Sequence, residues 1–295
     1  PVMYHEFYHL RTLPFENTPD PRFFYASEQH REALAAIEYT IRMRKGFVLI
    51  TGEIGSGKTT VGRTMCQRAA DQATIVQILH GHGEGFELLR QIMRALKVPL
   101  RKGDDHGRAL ERLQAHLVKQ ASSRRPIVLF VDEAQTLSDA ALEELRLLSN
   151  FDTATQKLIQ VVLVGQPELR RRVSSRKLDA LRQRIAMSKQ LTPMAEQETA
   201  EYIEHRLRAA SVDPQQVRVR FSDDAVREIY TFTGGTPRLI NFASDNCLLL
   251  GFVREVREIT PAMVRRVIDD MLPSFEQTTE PAFYDQPRVS LAGNL

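Results

Sequence analysis

The chain has 295 residues, 42% apolar and 26% charged, with a net charge of +3. That is the balance of a soluble globular protein, long enough for one large domain or two packed ones. The longest apolar run, Cys247 to Val253 interrupted by Gly251, is far below the ~20 residues of a membrane-spanning helix.

Arg11, Glu16, Asp20 and Arg22 interrupt any N-terminal signal segment. The chain opens at Pro1, and Met3 reads as a natural start, with Pro1 and Val2 expected to lie outside the natural sequence. Two cysteines, Cys66 and Cys247, make no disulfide framework. Both fall in helical patterns and are expected as buried, reduced thiols, which points to a cytoplasmic protein.

In chain order, Ser27 caps a helix that carries Leu34, Ile37 and Ile41 on one face and stops at Gly46. Phe47 to Thr51 is a buried strand, Gly57 to Ala70 a helix, and Thr74 to Leu79 a second strand. A glycine-rich loop, His80 to Gly85, precedes helices near 86–96 and 107–122. Ile127 to Val131 is an unbroken apolar strand, and Ser138 caps a helix reaching about Asn150. Leu158 to Val164 is a fourth strand. Short helices carry a basic stretch, and Ala186 to Leu191 is a candidate fifth strand.

Unbroken apolar strands alternating with helices indicate a parallel sheet covered on both faces, an α/β three-layer core. After Pro193 the pattern changes to helices near 195–210, 223–233, 237–251 and 261–272. Four segments follow: an N-terminal segment and helix (1–45), the α/β core (46–192), a small all-helical lid (193–272) and a polar tail (273–295).

"GEIGSGKT" satisfies G-x-x-x-x-G-K-[ST] with no mismatch. Gly52, Glu53, Ile54, Gly55, Ser56 and Gly57 form the loop, whose backbone N–H groups turn toward phosphate oxygens at a helix N-terminus. Lys58 is expected to reach the β- and γ-phosphates, the Thr59 hydroxyl to hold Mg²⁺, and Thr60 to follow in the first helical turn. "PIVLFVDEAQ" supplies the second half of the site. Asp132 is the candidate Mg²⁺ ligand and Glu133 the candidate base for an attacking water. Two adjacent carboxylates ending a buried strand are costly unless metal and solvent offset them. The chain lacks the N-K-x-D guanine reader, so ATP is the expected nucleotide and hydrolysis the expected reaction.

Together, "PFENTPDPRFFY", the phosphate loop, "VDEAQ", "LVGQPEL", "LRQRI" and "GGTPRLIN" resemble the ExeA/GspA-type AAA+ ATPases, and more distantly TnsC-like transposition regulators. The resemblance runs from about Met3 to Leu272. It implies that Gln166 is a sensor-1 residue, that Arg238 is a sensor-2 arginine directed at the γ-phosphate, and that Arg182 or Arg184 is an arginine finger completing a neighbouring subunit's site. It also implies a homo-oligomer, as a ring or a helical assembly. Full-length secretion-pathway A proteins continue into a membrane helix and a wall-binding domain. This sequence shows neither, which points to an excised domain or to a relative with another partner.

Residues 168–189 hold eight Lys or Arg and two acidic residues. Arg170, Arg171, Arg172, Arg176 and Lys177 are candidates for a subunit interface or for double-stranded DNA phosphates. The alternative partner is a protein of a secretion or envelope system. The 80–85 loop is a candidate channel loop. Its two histidines, His80 and His82, are too few to make a metal site.

Overall fold

A computed structural model describes residues 3–17, 20–78, 85–121, 125–153 and 156–276. The short helix α1 (Tyr4–Phe7) and α2 (Glu28–Arg42) precede strand β1 (Phe47–Gly52). Next come α3 (Lys58–Ala69), β2 (Thr74–Ile78), α4 (Gly85–Ala95), α5 (His106–Ala121), β3 (Ile127–Val131), α6 (Asp139–Leu148) and β4 (Ile159–Gly165). The basic stretch forms α7 (Pro167–Val173) and α8 (Asp179–Arg182), then β5 (Ile185–Leu191). The C-terminal part holds α9 (Glu196–Ala210), β6 (Arg220–Phe221), α10 (Asp223–Thr233), α11 (Pro237–Val253), β7 (Glu258–Ile259) and α12 (Pro261–Glu276).

The five-stranded sheet runs β2-β3-β4-β1-β5 with every pairing parallel. The three central strands, β1, β3 and β4, are buried throughout because both faces are covered, whereas the edge strands β2 and β5 are partly exposed. Phe47, Leu49, Leu129, Val131, Val161 and Leu163 pack toward α4, α5 and α6. Val48, Ile50, Val128, Phe130, Val162 and Val164 pack the other way, against α2 and α3. The alternation is the period-two geometry of a strand with two buried faces.

Local signals account for several helix ends. Ser27, Ser138 and Ser222 side chains accept from the backbone N–H of His30, Ala141 and Ala225. Gly234 ends α10 in the left-handed conformation, and Pro237 opens α11. Cys66 and Cys247 are free and buried, and burial pushes the Cys247 thiol up to about 12.

Four expectations need correction. The N-terminal 1–45 stretch is not one unit. Tyr4, Tyr8, Leu10, Phe15 and Phe23 belong to the core of the C-terminal helices, whereas α2 packs on the sheet. The C-terminal region is not wholly helical, since β6 and β7 pair in parallel. The fifth strand begins one residue earlier, at Ile185. The helix expected to end at Leu272 continues through Pro273 to Glu276, so the tail does not begin at 273. The 80–85 loop, with His80 and His82, lies outside the described residues except for Gly85, the first residue of α4. Among the described residues no helix is long and apolar enough to cross a membrane.

Candidate nucleotide site

The C-terminal ends of β1, β3 and β4 meet the N-terminus of α11 at a cleft of about 550 Å³. Ligand clefts in parallel α/β sheets form at this edge. Ile54, Gly55, Gly57, Lys58, Thr59 and Thr60 form one wall of it. Gly57, at φ 88°, caps α3 in the left-handed region, which lets the chain turn from loop to helix without a Cβ clash. Lys58 is buried, and its Nζ donates to the Glu53 carbonyl at 2.8 Å, folding the side chain back over the loop. Burial lowers the Lys58 pKa, and Glu133, Asp132 and Glu53 oppose that shift. Those carboxylates are therefore close enough to act on the ammonium.

Asp132 and Glu133 follow β3 directly. The Glu133 N–H donates to Asp132 Oδ1 at 2.9 Å. Glu133 has φ 51°, a left-handed conformation that non-glycine residues seldom take, and its side chain lines the cleft. Asp132 is half-buried and does not line it. Gln166 is the N-cap residue of α7 and also lines the cleft. Arg238 lies in the first turn of α11, also on the cleft. Its Cβ is 2.9 Å from the point where a side chain on Gly55 would begin, so loop and helix meet closely there. Among the described residues Arg238 has no ion-pair partner.

The expected Mg²⁺ ligands are a hydroxyl, Thr59, and a carboxylate, Asp132. Oxygen donors of this kind fit a hard divalent cation. Among the described residues no group of three or more His, Cys, Asp or Glu is arranged to hold a metal. A cation here would draw its remaining ligands from phosphate and water, as Mg²⁺ does in phosphoryl-transfer sites.

Arg182 and Arg184 do not line this cleft. Arg182 is exposed and pairs with Asp179, and Arg184 is half-buried. In the basic stretch, Arg172 is not a free surface charge. Its guanidinium donates to Gln135 O, Leu137 O and Asp139 Oδ1 at 2.7–2.8 Å. Arg170 bonds Gln190 Oε1 at 2.7 Å. Arg171, Arg176 and Lys177 are exposed.

Three groups of site residues have roles that no local sequence signal announces. The first is His30, buried on α2, with Nδ1 2.8 Å from Ser27 Oγ and Nε2 3.1 Å from the Ser56 carbonyl. The second is Gln135, which bonds Glu133 and the Gln166 backbone. It stood inside the quoted "VDEAQ", but only the fold shows its reach. The third is a strap formed by residues 14–17 and 20–25 at the border of the cleft, which stood inside the quoted "PFENTPDPRFFY". Buried Arg206 on α9 donates to the carbonyls of Pro14 and Glu16 and to the Tyr202 hydroxyl, and lies 4.9 Å from the Phe23 ring. Tyr202 donates to Asn241 Oδ1 at 2.8 Å, and Asn241 donates to Asn17 Oδ1 at 2.9 Å. Phe23, Phe24, Tyr25 and Met194 give that border an apolar lining.

A parallel sheet of this order, with a phosphate loop after β1 and an Asp-Glu pair after β3, is a P-loop nucleotide-binding fold of the AAA type. A family model described as AAA domain matches residues 41–173. The chain belongs to the AAA+ ATPases. It is similar to General secretion pathway protein A of Aeromonas hydrophila, at 37% identity over 257 residues. That match takes in 87% of this chain and 46% of the relative, so the chain spans about half the relative's length. Among solved structures, the fold is similar to Cdc6p from Pyrobaculum aerophilum, with TM-score 0.65 and 18% identity over 87% of this chain and 70% of that one. It is similar to the Aeropyrum pernix ORC2 protein in ADPNP-ADP complexes, with TM-score 0.58 and 18% identity over 87% and 71% of the two chains. The Thermotoga maritima RuvB Holliday junction branch migration motor matches with TM-score 0.51 and 21% identity over 83% and 69%. At these identities the structural likeness is one of fold.

Proposed function

We propose that the chain hydrolyses ATP in this cleft and uses the reaction to change its own assembly. The observation that carries the reading is the convergence of Lys58, Thr59, Glu133, Gln166 and Arg238, from four separate parts of the chain, on one cavity. The apolar end, lined by Phe23, Phe24, Tyr25 and Met194, takes the base, and the loop takes the phosphates. Thr59 and Asp132 would hold Mg²⁺, which when bound neutralises charge on the β- and γ-phosphates. Lys58 leaves the Glu53 carbonyl for the phosphate oxygens. Glu133 accepts a proton from the attacking water, whose oxygen bonds the γ-phosphorus as the bond to the β–γ bridging oxygen breaks. Gln166 orients that water or contacts the γ-phosphate. Arg238 reaches the γ-phosphate from α11, so loss of the γ-phosphate is felt by the C-terminal helices.

Arg184, or Arg182, completes the site of an adjacent copy. Their position off the chain's own cleft supports a role in trans, and hence a homo-oligomer. The free, buried cysteines fit a reducing compartment, and we place the activity in the cytoplasm.

Two outputs remain in play. The exposed Arg171, Arg176 and Lys177 favour an assembly on double-stranded DNA. The likeness to General secretion pathway protein A favours a protein complex of a secretion or envelope system. Steady-state ATP hydrolysis with and without duplex, at low and moderate salt, separates them. Stimulation that fades with salt supports the DNA reading, because phosphate contacts weaken steeply with salt. Turnover that duplex leaves unchanged supports the protein partner.

A further inference from the structure

Gln135 sits in the turn after β3, and its side-chain amide bridges two residues of the cleft. Nε2 donates to Glu133 Oε2 at 2.6 Å, and Oε1 accepts from the Gln166 backbone N–H at 3.0 Å. The partners fix which end is which, because a carboxylate only accepts and an N–H only donates. Among the described residues no hydrogen bond reaches the other carboxylate oxygen of Glu133, Oε1.

The amide has little freedom. A Cβ on Gly165 would lie 2.8 Å from Gln135 Oε1, so the end of β4 closes over it. The Gln135 carbonyl accepts from Arg172, whose guanidinium also holds Leu137 O and Asp139 Oδ1. Arg172 thereby ties the turn after β3 to α7, the helix that Gln166 caps. Gln135 is thus held at both its side chain and its backbone by the β4–α7 junction.

We propose that Gln135 is the positioning residue for Glu133. By occupying Oε2 it fixes the carboxylate in one orientation and leaves Oε1 as the oxygen offered to water. By accepting from Gln166, it makes that orientation depend on where the β4–α7 junction stands. Anything that displaces α7, whose outer side carries the exposed Arg170 and Arg171, alters the aim of Glu133. The inference rests on the reading of Glu133 as the residue that takes the proton from water. A supporting bond of this kind acts on the reacting group without touching the substrate.

The test uses Gln135→Met and Gln135→Glu in the full chain, beside Glu133→Gln. Methionine keeps the bulk and removes both bonds. Glutamate keeps an acceptor for the Gln166 N–H but sets a second carboxylate against Glu133. Both are expected to lower kcat by about tenfold or more, the loss associated with a hydrogen bond to a charged group. KM for ATP and affinity for ADP should stay within about twofold, because ground-state binding is untouched. Wild-type kcat in both variants overturns the proposal. So does a parallel loss of ADP affinity and kcat, which would make Gln135 a residue of general folding. Undiminished turnover in Glu133→Gln overturns the reading of Glu133 itself. An inactive Glu133→Gln beside a fully active Gln135→Met overturns the role of Gln135 alone.

Discussion

The imidazole of His30 lies 3.1 Å from the carbonyl oxygen of Ser56, in the middle of the phosphate loop. The ring is buried on α2, and Ser27 Oγ engages its other nitrogen at 2.8 Å. The Ser56 carbonyl only accepts, so Nε2 carries the proton and Nδ1 faces the hydroxyl. A helix outside the motif therefore supports the loop from behind.

Burial lowers the His30 pKa below its ordinary range, and the bond to Ser56 opposes the shift only in part. The unfolded chain takes up this proton near pH 6.5, whereas the folded chain does so only at lower pH. The associated stability is present above about pH 6.5 and is lost as pH falls from there toward the folded value. Half-buried His205 shifts the same way, so the comparison must be with His30→Gln rather than with pH alone. Thermal unfolding at about pH 7.5 and about pH 5.5 should show a larger fall for the wild type than for His30→Gln. Equal falls would separate His30 from the acid sensitivity.

Arg206 holds the strap to α9 through the carbonyls of Pro14 and Glu16, and also donates to the Tyr202 hydroxyl on its own helix. Arg206→Met leaves those acceptors without their donor. The expected cost is on the order of 3 kcal/mol, read from urea unfolding. ATP-analogue affinity should fall with it, since Phe23 and Asn241 border the cleft. Wild-type stability and affinity would show that the strap needs no such anchor.

Arg238 touches the cleft but not, in this reading, the reacting water. Arg238→Ala should weaken ATP more than ADP, because only ATP offers a γ-phosphate. Competition binding with ADP and a non-hydrolysable ATP analogue reads the difference, expected at about tenfold. Equal losses for both nucleotides would place Arg238 on the base or the inner phosphates.

For the trans arginine, turnover per subunit should rise with protein concentration. Alanine at Arg184, or at Arg182, should lower kcat by about a thousandfold while analogue binding persists. Turnover that stays constant per subunit across dilution would argue against a finger supplied by a neighbour.

The sheet and the phosphate loop were legible because their causes are local. Strands buried on both faces must be apolar throughout, and a loop that wraps phosphate needs glycines at fixed spacing. The Asp132-Glu133 pair was legible for the opposite reason, since charge at the end of such a strand requires a purpose. What was not legible depends on distant contacts. Arg206 meets Glu16 across the length of the chain, and no periodicity announces that contact. His30 sits on an ordinary amphipathic helix, and only the fold brings it under the loop. The two-residue strands β6 and β7 are too short to leave a pattern. The extension of α12 through Pro273 runs against the usual effect of proline on a helix interior.

The most direct test of the account is single-turnover ATP hydrolysis by wild-type protein and by Glu133→Gln, with bound nucleotide recovered and identified. The wild type is expected to convert ATP to ADP and phosphate, while Glu133→Gln binds ATP and retains it unhydrolysed. Conversion at the wild-type rate in Glu133→Gln would contradict that reading.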